Sequence, residues 1–338
     1  MGSAGTRLEV VQRAGRPATV HVTGIGTIDA ARSWLADTRD DLRAALDEHG
    51  VLFLRGLPVR GVEDFAVVRD GVVSRRAPYQ EKATPRSDFG DDVFSSTDLP
   101  PAQRIRQHNE NSYTITFPGT LIFACLVAPE RGGATPTADC RRVLELIPDD
   151  LVRRFREQGW VLRRNYSEHL SLPWRTSFGT DSAEEVERYC AANLISCEWG
   201  QDGSLHTTQL RPAVLHHPRT DEAVWFNHVA FWNRYSLDDS IREVLESELG
   251  EDGLPFATML GDGTTLTRDE VGAINAAYDK ATVRETWQPG DVMIVDNILA
   301  SHGREAFQGD RRILVAMGDA VEVTACRSTV AAAAGPKI

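Results

Sequence analysis

Leucines at positions 35, 42 and 46 stand among charged residues between 28 and 49, the spacing of an amphipathic helix, and Gly50 is placed to end it. VLFLRG (51–56) follows as a short apolar run that suits a buried strand, and residues 62–75 read as helical again. Further on, 120–128 (TLIFACLVA), 205–215 and 223–231 have the look of strands, whereas 143–159, 183–194 and 239–248 carry helical spacing. The last third returns to strands at 281–287, 291–296 and 312–318, with Pro289-Gly290-Asp291 as the turn between the first two. The tail AAAAGPKI is expected to fray. The stretch 76–107, rich in Pro, Ser, Asp and Arg, lacks a clear period and is expected to be a long ordered loop, a kind of segment that often carries function.

Strands thus dominate the middle and end of the chain, with helices at the front. This order predicts a β-rich α+β fold, a sandwich or jelly roll with flanking helices, rather than alternating βαβ units. A single domain over 1–338 is expected: an α/β portion over about 1–100, a jelly-roll core over about 101–142 and 203–320, and a mostly helical insertion over about 143–202. No repeat of fixed period, glycine-rich phosphate loop or GxSxG elbow occurs, which leaves nucleotide-binding and serine-hydrolase readings without support.

Composition narrows the classes further. The net charge of −12 argues against general binding to nucleic acid or to an anionic membrane, since an acidic field repels phosphate. Five scattered cysteines, an odd number with no CxxC pair, favour free thiols in a reducing compartment. The first residues lack the apolar stretch of a secretion signal, and no run approaches the length of a membrane span, so a cytoplasmic protein is expected.

Chemistry concentrates in two places. In Gln107-His108-Asn109-Glu110-Asn111, an extended backbone would point His108 and Glu110 to the same side, where both could grip one metal ion. Alone, a His-Xaa-Glu pair is common by chance. Near the other end, His302 follows an apolar strand, and a distant histidine joined to such a pair makes a facial triad that leaves three coordination positions open. Arg312, ten residues after His302, could hold a dicarboxylate through a two-pronged contact. Thr135, after Gly132-Gly133-Ala134, could add a hydroxyl.

With these pieces in order, the chain resembles the taurine dioxygenase (TauD/TfdA) superfamily, and within it the natural-product hydroxylases similar to the syringomycin aspartyl hydroxylase. The resemblance rests on Pro85-Arg86, Ser96-Thr97, His108 to Tyr113, Gly132 to Thr135, Arg211-Pro212-Ala213, Trp225-Phe226-Asn227, Pro289-Gly290-Asp291, His302-Gly303-Arg304 and Arg311-Arg312. It implies a double-stranded β-helix, the cupin-like jelly roll, and an enzyme that uses iron(II), 2-oxoglutarate and dioxygen. It also implies that His108, Glu110 and His302 hold the iron, and that Thr135 and Arg312 bind one carboxylate of 2-oxoglutarate. Hydroxylation of an unactivated C–H bond is the expected outcome, with desaturation or cyclisation within the same chemistry.

Two departures matter. Glu110 stands where taurine dioxygenase has Asp, and where related halogenases have a small residue that makes room for halide, so halogenation is disfavoured. The taurine enzyme has a second arginine four residues beyond the cosubstrate arginine; the corresponding residue here is Ala316, which argues against taurine. The implied substrate is a small molecule, an amino acid or an aminoacyl group carried on a protein; substrate identity and oligomeric state are not legible. Arg104, Asn111, Ser112, Tyr113 and Arg304 are candidates for substrate contact, His169 for a lid, and His228 and the tryptophans for packing. His216-His217 reads as a surface feature. The rival readings are a zinc hydrolase, disfavoured because no HExxH occurs, and a non-catalytic cupin-like binding protein, which would need neither Thr135 nor Arg312.

Overall fold

The computed structural model describes residues 8–77, 81–166 and 172–336; His169 therefore lies outside the described residues. The apolar runs of the sequence assemble mainly into one seven-stranded sheet. Its order is Val10–Val11, Ala18–His21, Val51–Arg55, Val292–Asp296, Thr116–Val127, Arg312–Glu322 and Phe94–Ser95. A four-stranded sheet (Thr282–Val283, Thr137–Asp139, Ala300–Arg304, Ile105–His108) faces it and completes the double-stranded β-helix.

Strand alternation explains why the central runs are apolar throughout. Val51, Phe53, Leu121, Phe123, Met293, Val295, Ile313, Val315 and Met317 point into the core on the side of the four-stranded sheet. Their neighbours Leu52, Leu54, Ile122, Ala124, Val292, Ile294, Leu314 and Ala316 point the other way and pack under Leu35, Leu46, Phe65 and Val68 of the N-terminal helices. A sheet covered on both faces has no need of polar alternation.

The expected helix over 28–49 is two helices, Ile28–Asp37 and Arg39–His49, broken at Thr38, whose hydroxyl donates to the Trp34 carbonyl at 2.7 Å. Gly50 ends the second in the left-handed region, φ 69°. Thr267 opens a helix over Arg268–Ala281 with a capping box to Glu270, in a stretch whose sequence pattern did not announce one. The strand expected over 281–287 shrinks to Thr282–Val283.

Between 143 and 202 the helices Asp149–Gln158, Trp174–Phe178 and Ala183–Ala192 are interleaved with two strands, Trp160–Tyr166 and Ser196–Trp199, of a separate sheet completed by Leu205–Arg211 and Phe256–Leu260. The front of the chain joins the main sheet, where Val51–Arg55 pairs with Val292–Asp296. The alanine tail is not frayed throughout; Ala333 and Ala334 pair with Leu210 and Gln209. All five cysteines are free thiols. Among the described residues no helix is long and apolar enough to cross a membrane.

Candidate active site

The four-stranded sheet brings the two distant histidines together. His302 pairs directly with His108 across the strands Ala300–Arg304 and Ile105–His108. Together with Glu110 they offer three ligand atoms within 4.8 Å of one another. The strand ends at His108, however, and Glu110 sits in the turn that follows, where Asn111 adopts φ 52°. That turn, rather than simple strand alternation, aims the carboxylate at the histidines. Asn297 holds it, accepting from the Glu110 N–H at 2.7 Å and donating to the Glu110 carbonyl at 2.9 Å.

The donor set suits a divalent iron. Burial, reinforced by the neighbouring His302, pushes the His108 imidazole down to about 3, so it is neutral and ready to ligate. His108 Nδ1 lies 3.0 Å from the Arg106 carbonyl, which commits that nitrogen as donor and leaves Nε2 as ligand. Burial alone would raise the Glu110 carboxyl; the charge of Arg86, with His302 beside it, overrides this and holds the group well below the usual carboxylate range. Its Oε2 lies 3.6 Å from His302 Nε2. Two imidazoles and one ionised carboxylate on one side, with open space opposite, fit iron(II).

That open space is a cavity lined by both histidines, Glu110 and Phe123 at one end. The other end holds Arg311, whose Nη2 donates to Thr135 Oγ1 at 3.1 Å, Nη1 to Ser96 Oγ at 3.1 Å and Nε to the Gly133 carbonyl at 2.9 Å. Trp287 Nε1 donates to the same threonine oxygen at 3.1 Å. Gly133 lies at φ +70°, and a side chain there would meet Pro129, Phe307 and Arg311, so glycine is what lets the arginine approach. Burial, with Arg304 nearby, pushes Arg311 down to about 10. Among the described residues it has no carboxylate partner within ion-pair distance.

Arg312, the arginine expected to anchor the cosubstrate, faces away. It is exposed, with its guanidinium 5.3 Å over the Phe89 ring. The register shifts between Arg312 and Ile313, where the strand begins, and it is Arg311, just ahead of the strand, that turns into the cavity. The residue four beyond the anchor is accordingly Val315, not Ala316, and neither is basic.

The candidate substrate residues divide. Tyr113 and Arg304 line the cavity, but the Arg304 guanidinium is occupied by the carbonyls of Leu99, Pro100 and Gln103 at 2.9, 2.7 and 2.6 Å. Arg304 therefore braces the loop. Ser112 lies behind the wall, its Oγ 2.6 Å from His228 Nδ1, and Asn111 shapes the turn. Arg104 is at the surface, paired with Asp279 at 3.2 Å. A bulge opposes the step from His108 to Ile105 with that from His302 to Arg304, so face parity counted back from His108 fails and Ile105, not Arg104, lines the cavity.

One histidine and two aromatic residues form the opposite wall. His228, Phe231 and Trp232 all face the cavity, and Trp232 is stacked on Phe256 with ring centroids 4.6 Å apart. Their clustering in WFNHVAFWN was the available signal. His217, read as surface, is buried, with Nε2 3.1 Å from Asp296 Oδ2.

Comparison with known proteins agrees with this geometry. The chain is 38% identical over 276 residues to the dapdiamide synthesis protein DdaC of Enterobacter agglomerans, covering 82% of this chain and 84% of that one. Its fold is similar to a taurine dioxygenase from Burkholderia xenovorans (TM-score 0.53, 17% identity, covering 98% and 96% of the chains). It is also similar to PvcB from Pseudomonas aeruginosa (TM-score 0.52, 16% identity, covering 94% and 92%). The family model described as taurine catabolism dioxygenase TauD, TfdA family, matches residues 15–317. The chain belongs to the TauD/TfdA dioxygenase family and is an oxidoreductase of its iron- and 2-oxoglutarate-dependent kind.

Proposed function

We propose that His108, Glu110 and His302 hold one iron(II), and that Arg311 and Thr135 take the distal carboxylate of 2-oxoglutarate, for oxidation of an amino acid or aminoacyl group in peptide natural-product assembly. The observation that carries this reading is the shared cavity: a three-ligand cluster and a half-buried arginine with no carboxylate partner among the described residues open onto the same space. A zinc hydrolase or a simple cupin-like binder gives that arginine nothing to do.

Iron held there supplies the redox chemistry that couples decarboxylation of 2-oxoglutarate, giving succinate and carbon dioxide, to oxidation of a C–H bond. The chain's own part is to bind, orient and exclude water. Neutral His108 offers a lone pair without first losing a proton. Arg311 fixes one end of the cosubstrate by charge-assisted hydrogen bonds, which sets the direction of its other end. The wall of Tyr113, Phe231 and Trp232 keeps the far side apolar and chooses which C–H bond is presented. The name of DdaC places that relative in dapdiamide synthesis, which supports a natural-product substrate.

The test is succinate formation by iron(II)-loaded protein given 2-oxoglutarate and a panel of free amino acids, each also offered as a carrier-protein thioester. One member should stimulate succinate release and emerge oxidised, with both effects lost in His108→Ala and Arg311→Ala. Turnover that survives both substitutions would contradict the assignment of these residues.

A further inference from the structure

Arg86 reaches the candidate iron site from the long loop between the front of the chain and the strand Ile105–His108. Its Nη2 donates to Glu110 Oε2 at 2.8 Å, and both side chains are nearly sealed from solvent, at 6% and 7% exposure. The loop delivers it on a pinned backbone. Ser87 N–H donates to Ser95 Oγ and Ser95 N–H to the Ser87 carbonyl, both at 2.9 Å, while both serine hydroxyls donate to Asp98. Beyond that, Ser96 is tied to Arg311 and the carbonyls of Leu99 and Pro100 to Arg304.

A glutamate on a turn has three side-chain torsions, one more than aspartate, and its carboxylate can ligate a metal through one oxygen or through both. The difference decides the chemistry. With single-oxygen ligation a facial triad leaves three positions: two for 2-oxoglutarate and one for dioxygen. With both oxygens engaged, the last position is lost. Oε2, which Arg86 holds, is also the oxygen 3.6 Å from His302 Nε2, so this bond fixes which oxygen faces the histidines; turning the carboxylate to present both would bend Oε2 out of the charge-assisted bond, inside a site where that bond is barely screened.

We propose that Arg86 is a positioning residue that restrains Glu110 to single-oxygen ligation and so keeps the coordination position for dioxygen open. The inference rests on the reading of the site as an iron and 2-oxoglutarate centre. It assigns Arg86 no contact with substrate; it acts through Glu110.

Nitric oxide, a stable stand-in for dioxygen, tests it by electron paramagnetic resonance on anaerobic protein saturated with iron(II) and 2-oxoglutarate. Arg86→Gln should still bind one iron per chain, but require at least roughly tenfold more nitric oxide than the wild type, the scale of one charge-assisted hydrogen bond. Arg86→Lys should recover much of the affinity. Asp98→Ala, which loosens the loop away from the iron, should lower it by a smaller factor. Wild-type affinity in both Arg86→Gln and Asp98→Ala would overturn the proposal. So would an Arg86→Gln protein that folds but binds no iron, since Arg86 would then assemble the site rather than set the ligation mode. Wild-type protein whose iron fails to chelate 2-oxoglutarate would instead overturn the reading of the site, and the inference with it.

Discussion

Asn297 grips Glu110 by its backbone rather than its carboxylate, with hydrogen bonds of 2.7 Å to the amide and 2.9 Å to the carbonyl. A third bond, from Asn297 Nδ2 to the Pro118 carbonyl at 2.8 Å, ties the same side chain to the main sheet. One buried amide thereby sets the position of a ligand 187 residues away in sequence, and it lies five residues before His302.

Asn297→Ala should therefore cost more than an ordinary buried substitution. Two backbone groups of the ligand turn lose their partner, so a loss of about 2–4 kcal/mol in stability is expected, alongside weaker iron binding. Thermal unfolding of the metal-free protein and iron(II) titration check the two effects separately. A variant as stable as the wild type with unchanged iron affinity would show that the turn holds itself.

The two adjacent arginines should behave oppositely. Arg311→Ala empties the buried end of the cavity and is expected to raise the 2-oxoglutarate requirement roughly 10- to 100-fold. Arg312→Ala, on the exposed face, should leave it nearly unchanged. The concentration of 2-oxoglutarate giving half-maximal succinate formation reads both.

Asp296 gives a dependence on pH. Burial alone would raise its carboxyl, but hydrogen bonds from His217 and the Leu299 amide, with the charge of Arg219, lower it below the ordinary value. Its stabilisation is thus complete above the unfolded carboxyl range, near 3.9, and is lost as pH falls through the depressed folded value. Asp296→Asn should unfold at lower temperature than the wild type at neutral pH, with the gap narrowing below about pH 4. Thermal unfolding from pH 7 to pH 3 measures this, and a constant gap would contradict the assignment.

Arg304 should prove structural. Arg304→Ala releases the carbonyls of Leu99, Pro100 and Gln103. Amide hydrogen exchange in that loop should quicken, while 2-oxoglutarate affinity changes far less than in Arg311→Ala.

The candidate iron triad, which the fold brings together, was legible because it needs only residue types and order, and the ordered motifs supplied both. What failed was parity. The apolar run from Ile313 to Met317 is buried on both faces, so nothing in it says which arginine before it turns inward. The bulge between His108 and Ile105 likewise hides which residue of that strand meets the cavity. Phe231 and Trp232 of the wall went unseen because aromatic residues in a core and in a cavity lining look alike in sequence. Arg86 stood within a matched motif, yet only the folded loop brings it to Glu110.

The most direct measurement is an anaerobic visible-absorption titration of the metal-free protein with iron(II) and then 2-oxoglutarate. A weak charge-transfer band should grow as the cosubstrate chelates the iron. It should be absent in His108→Ala and His302→Ala, need far more 2-oxoglutarate in Arg311→Ala, and be unchanged in Arg312→Ala. Folded, iron-replete wild-type protein that develops no band would contradict the assignment of this cavity as an iron and 2-oxoglutarate centre.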